Sequence, residues 1–149
     1  EKKERKKTPS RETTNYTSSS YSSLGGMDAK SKHKEIQRLA KQLQQTNNEE
    51  LKLNSMEQLS TIYKDLGQYL QSLDYLLKII EFKEKNLDKN HPNLATSYNN
   101  ISTIYQDLNN TKEALSYINQ AIKILEVNFP NGHPNLETVL QNKQKIESQ

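Results

Sequence analysis

The chain has 149 residues, a hydrophobic share of 32%, no Cys and no Trp. That length suits one domain with a tail, and the thin apolar content argues against a two-lobed catalytic core. The missing cysteines exclude disulfides, zinc knuckles, iron–sulfur ligation and thiol nucleophiles together, and the net charge of +3 is concentrated at the N-terminal end.

Residues 1–31 read as a disordered basic tail rich in Ser and Thr. EKKERKK opens the chain, Ser and Thr dominate the stretch from Thr8 to Ser23, and Gly25-Gly26 follows. Such a segment buries too little surface to offset the entropy of ordering itself. It is a solvated linker or a basic arm for an acidic surface, whether a microtubule, RNA or an anionic lipid. Thr8 and Ser10 lie among Lys and Arg, where phosphates would cancel part of the charge. No apolar run approaches the roughly 20 residues of a membrane span, and no signal segment opens the chain. The expected location is therefore cytoplasmic, with a cytoskeletal or ciliary setting open. Because the first residue is Glu, the chain is expected to be a segment of something longer.

From about residue 32 the pattern turns helical. A helix over about 32–46, with Ile36, Leu39, Ala40 and Leu43 on one face, precedes a repeat. LSTIYKDLG at 59–67 returns as ISTIYQDLN at 101–109, and the 42-residue shift also carries HPNL at 91–94 onto HPNL at 133–136. In that register 12 of 42 positions are identical between 49–90 and 91–132, so one register holds at both ends. Each unit reads as two antiparallel helices. In the unit 91–132, Leu94, Tyr98, Ile101, Tyr105 and Leu108 share a face of the first helix, and Ala114, Ile118, Ala121, Ile122 and Leu125 share a face of the second. Gly67 and Asn109-Asn110 break the pattern between helices. The unit 49–90 repeats this with Met56, Leu59, Tyr63 and Leu66, then Leu73, Leu76, Ile79 and Ile80. A partial, capping repeat over 133–149 begins with Val139 and Leu140. It then places Lys143 where the others have Leu59 and Ile101, and is expected to fade into a polar end.

The stretch HPNLATSYNNISTIYQDLNNTKEALSYINQAIKILE at 91–126 resembles a tetratricopeptide repeat, and the 42-residue period with His-Pro at the turn is similar to the kinesin-light-chain type. Tyr98, Ile101, Ser102, Tyr105, Ala114, Ile118 and Ala121 carry that likeness, which covers about 48–148. Ser72 and Ile79 depart from it, standing where small alanines are expected, as does Lys143. The resemblance implies an all-α, right-handed superhelical stack of antiparallel helix pairs over 32–149, used as a non-enzymatic interaction scaffold.

It also implies that the polar stripe beside the core face of each first helix faces a concave groove. The expected partner-binding residues are Gln58, Thr61, Thr96, Asn99, Asn100, Thr103, Gln106, Gln141 and Asn142. Asn100, Asn142 and Gln58 match a position where such repeats use an amide to clasp a peptide backbone. A carboxamide offers both the donor and the acceptor that an extended peptide needs. Only Lys64 and Lys145 fall on the stripe, which disfavours capture of a terminal carboxylate of the kind chaperone-binding members perform.

No catalytic, metal-binding or cofactor-binding set is read. His91 and His133 each precede Pro at equivalent turns, a structural placing, and no phosphate-cradling glycine motif exists among four glycines. The Tyr residues do not interleave with a basic stripe, so nucleic-acid reading has no support. Three classes remain in this order: an interaction scaffold or adaptor, a structural subunit of a large cytoskeletal or ciliary assembly, and, distantly, an enzyme.

Overall fold

The computed structural model describes residues 26–149. The expected disorder of the first 25 residues lies outside them. Among the described residues there are six α-helices and no strand: α1 (Ala29–Gln45), α2 (Glu49–Asp65), α3 (Tyr69–Asn86), α4 (Pro92–Asp107), α5 (Thr111–Asn128) and α6 (Pro134–Glu147). Each helix packs on its sequence neighbours, most extensively α4 on α5, and α4 also touches α6 across the intervening helix. The chain is an all-α helical-repeat solenoid, with α2–α3 and α4–α5 as its complete pairs.

The boundaries follow from local chemistry. Asp28 accepts a hydrogen bond from Ser31 N at 2.7 Å and so starts α1 at Ala29, which trims the expected tail by three residues. Asn48 and Asn110 cap α2 and α5 in the same way, at 2.9 and 3.2 Å. Two equivalent residues end the first helices in the left-handed region, Gly67 at φ 72° and Asn109 at φ 59°. Around each, paired backbone bonds close the helix end: Gln68 N to Tyr63 O and Gly67 N to Lys64 O, then Asn110 N to Tyr105 O and Asn109 N to Gln106 O. This is the Schellman arrangement, and it turns the chain sharply enough for the second helix to pack back on the first.

One apolar cluster runs through α3–α6, centred on Leu94, Ile101, Ile104, Ala114, Ile118 and Ala121, all essentially without solvent contact. A smaller one joins α1 to α2 through Leu39, Leu59 and Ile62. The departures from the small-residue pattern are accommodated differently. Ser72 is buried and donates to Ser60 O at 2.8 Å, stitching α3 to α2, while Ile79 is buried within the larger cluster. Between the helices of each pair the tyrosines stack: Tyr63 on Tyr75, and Tyr105 on Tyr117. The C-terminal helix does not fade at Lys143. Ile146, one turn later and equivalent to Ile104, is buried and keeps the end of α6 anchored.

Candidate functional site: the first-helix groove

The expected binding stripe lies on α2, α4 and α6, whose buried faces are fixed by Leu59, Ile62, Ile101, Ile104, Val139 and Ile146. His91 and His133 set where α4 and α6 begin. In each, the imidazole Nδ1 accepts from the backbone N–H two residues on, Asn93 or Asn135, at 3.1 Å, with Pro in the first turn. The histidines placed structurally in the sequence are thus helix caps, one at each inter-repeat turn.

The expected binding residues divide into three kinds. Asn99 and Asn142 come together: the Asn142 side-chain amide donates to Asn99 Oδ1 at 2.9 Å, joining α6 to α4. Gln58 is likewise engaged, donating to Asn54 at 2.7 Å. The hydroxyls of Thr61 and Thr103 donate to carbonyls of their own helices, Glu57 O and Asn100 O, and Thr103 also accepts from Lys64 Nζ of α2 at 3.3 Å. Thr96, Asn100 and Gln141 are exposed, Gln106 is half-buried, and their side chains make no hydrogen bond among the described residues. Of the three amides expected to clasp a backbone, only Asn100 is therefore open on both its donor and acceptor sides. Asn142 and Gln58 each have a donor committed to a neighbour.

Between α4 and α6 lies a cleft of about 140 Å³ lined by Ala95, Thr96, Asn99, Leu125, Asn135, Thr138 and Val139. Its floor is apolar (Ala95, Leu125, Val139) and its rim polar, a mixture suited to one small aliphatic side chain under a hydrogen-bonded backbone. At the junction one repeat earlier, Lys83 stands at the position of Leu125. Its ammonium donates to Glu57 Oε1 on α2 and to Ser97 Oγ on α4, both at 3.0 Å, with the side chain largely buried. The two junctions thus use different chemistry at equivalent places, one ionic and one apolar. Aligning Lys83 with Leu125 in the 42-residue register is the signal that would have located this groove floor from sequence.

Nearby, Tyr98 donates its hydroxyl to Glu84 Oε1 at 2.7 Å. Burial, and then the bond to Glu84, push its phenol well above the usual tyrosine range. Among the described residues no group of His, Cys, Asp and Glu is arranged to hold a metal ion, and no helix is long and apolar enough to cross a membrane.

Stacked antiparallel helix pairs with a recurring turn define a helical-repeat solenoid. The tetratricopeptide repeat family profile matches residues 51–126, about half of the chain, and the chain belongs to that family. No curated protein matches it significantly. Among solved structures it is similar to the nearly identical TPR-like repeats of a kinesin-light-chain-type protein from Podosopora anserina. Identity there is 18%, TM-score 0.70, with 85% of this chain and 59% of that one covered. A point variant of that protein matches with TM-score 0.69 and 19% identity, over 85% of this chain and 58% of that one. BtubC (BKLC) from P. vanneervenii matches with TM-score 0.64 and 16% identity, over 78% of this chain and 46% of that one. The chain thus spans between about half and three-fifths of the structures it matches, and at these identities the likeness is one of fold.

Proposed function

We propose that the chain is a non-enzymatic scaffold or adaptor that binds an extended peptide segment of a protein partner along the first-helix groove. The observation that carries this reading is Asn100: an exposed carboxamide with donor and acceptor both unused, next to the Asn99–Asn142 pair and the apolar-floored cleft. An extended backbone presents alternating N–H and C=O groups, and a carboxamide meets both. Thr96, Thr103, Gln106 and Gln141 extend the polar surface, and Gln58 and Thr61 continue it onto α2. The only cations on this stripe are Lys64 and Lys145, which favours backbone recognition over capture of a terminal carboxylate. Its natural test is a peptide selected from a display library on the wild-type chain. Asn100→Ala combined with Gln106→Ala should weaken that peptide by about one to two orders of magnitude, at about 0.5–1.5 kcal/mol per lost hydrogen bond. Helix content should stay constant. Undiminished binding would remove the groove from consideration.

One observation favours a second reading, a structural subunit embedded in a cytoskeletal or ciliary assembly with its basic tail on an acidic surface. Leu140 on α6 is 46% exposed, whereas its equivalent Tyr98 is 7% exposed beneath α5. The exposed face of α6 around Leu140 is an apolar surface available to a neighbouring subunit. The kinesin-light-chain name of a similar structure supports a cytoplasmic, cytoskeletal setting for either reading. Light scattering separates them: a scaffold is soluble and monomeric alone, and a subunit self-associates or needs its neighbours.

A further inference from the structure

The outward face of α1 carries a row of cations with no counterpart elsewhere in the solenoid. Leu39 is fully buried against α2, with Ile36 and Leu43 packed beside it. At about 100° per residue, the direction opposite this apolar face is that of Lys34, and Lys30, Lys41 and Arg38 lie within about 40° of it. All four are exposed. The row runs for about 16 Å along the helix, from the rise of about 1.5 Å per residue.

A capping helix needs a polar outer face but not a face of one sign. On α3 the exposed cations are paired instead, Lys78 with Asp74 and Lys85 with Glu81. On α1 the single acid, Glu35, lies to one side and holds Arg38, while Lys32 leans the other way toward Asp65 at 3.9 Å. Lys30, Lys34 and Lys41 make no ion pair or hydrogen bond among the described residues. The sequence leading into α1 continues the charge, with Lys2, Lys3, Arg5, Lys6, Lys7 and Arg11 against Glu1, Glu4 and Glu12.

We propose that this row docks an acidic segment of a protein partner, its carboxylates lying along α1. The proposal is independent of the groove. Three observations favour carboxylates on a protein over phosphates or lipid. Arg38 is the only guanidinium of the row and the group best suited to bidentate phosphate, yet three of its five N–H groups are already engaged by Glu35 and Gln42. Beside it stand three ammonium point charges. α1 carries no Phe, Tyr or Trp on which a base could stack. It also has no exposed large apolar side chain to enter a bilayer. Lysines at i, i+4 and i+11 match acids at the same intervals on a helix laid beside α1.

The test measures fluorescence anisotropy of labelled poly-glutamate at low ionic strength against the full chain. The key variant is Lys30→Gln with Lys34→Gln and Lys41→Gln; a companion replaces the same three by Arg. A control changes Lys89, Lys112 and Lys123 to Gln, matching the net charge elsewhere. The Gln variant should lose about tenfold in affinity, at the modest contribution of each exposed pair. The Arg variant should bind as wild type, and the control should lose little. The tail is present in all of them, so their differences isolate α1. The proposal is overturned if the Gln variant binds as wild type, or if the control loses as much. It is equally overturned if duplex RNA or phosphatidylserine vesicles, at matched anionic charge, bind more tightly through the same three lysines.

Discussion

Replacing Lys83 by Leu puts at the first inter-repeat junction the residue that Leu125 supplies at the second. Lys83 is 11% exposed in its side chain and Glu57 29%, and the ammonium bonds both Glu57 and the buried Ser97 hydroxyl at 3.0 Å. A hydrogen bond to a charged group contributes about 1.5–3 kcal/mol when buried, and an exposed ion pair about 0.2–1 kcal/mol. Because Glu57 is nearly a third exposed, water replaces part of what the lysine supplied. The expected net cost of Lys83→Leu is therefore about 1–2 kcal/mol. For a chain of this size that lowers Tm by about 3–8 °C. Adding Glu57→Asn and Ser97→Val completes the chemistry of the second junction, where Asn99 and Val139 stand. Replacing a partly buried ionic cluster by packed apolar groups is commonly neutral or better, so the triple variant should recover to within about 1 kcal/mol of wild type or exceed it. Urea and thermal unfolding followed at 222 nm measure both. The reasoning fails if the single change is harmless, or if the triple variant is as damaged as the single one.

Further expectations follow from the caps, the turns and the tyrosines. Gly67→Ala should cost about 1 kcal/mol through its positive φ, since a methyl group there meets no atom within 4 Å, and Asn109→Gly should be neutral or stabilising in the same melts. His133→Ala should cost about 0.5–2 kcal/mol by removing the α6 cap and the stacking on Phe129, and His133→Asp, which restores an acceptor, should recover the cap's share. Tyr98 titrates higher in the folded chain than in the unfolded one, so stability is held below the ordinary tyrosine pKa and falls as pH rises above it. Tyr98→Phe should flatten that alkaline fall, and absorbance at the tyrosinate band should show wild-type Tyr98 ionising only with unfolding.

The 42-residue register made the helix pairs, their turns and their buried faces legible, because a core face must recur at helical spacing and the first helix of each complete pair ends at a left-handed residue. α1 starts three residues before the expected helix because its cap is Asp28, upstream of any apolar periodicity. The burial of Ile146 is masked in the sequence by Lys143, one turn earlier, which reads as the end of the apolar face. At the groove, sequence spacing identified the polar stripe but not its pairing. Asn142 meets Asn99 and not its register equivalent Asn100, a diagonal contact between neighbouring helices that depends on their packing offset. The same offset leaves Asn100 open. The ionic clasp of Lys83 was invisible as such, since an isolated Lys on an amphipathic helix reads as solvated until both neighbouring first helices are in place.

Chemical-shift mapping of a library-selected peptide on the isotopically labelled chain tests the central claim most directly. Binding along the groove predicts that the largest shifts fall on Thr96, Asn99, Asn100, Thr103, Gln141 and Asn142, with the Asn100 side-chain amide among them and the outward faces of α3 and α5 silent. Shifts concentrated on those outward faces, or on α1 alone, would contradict it.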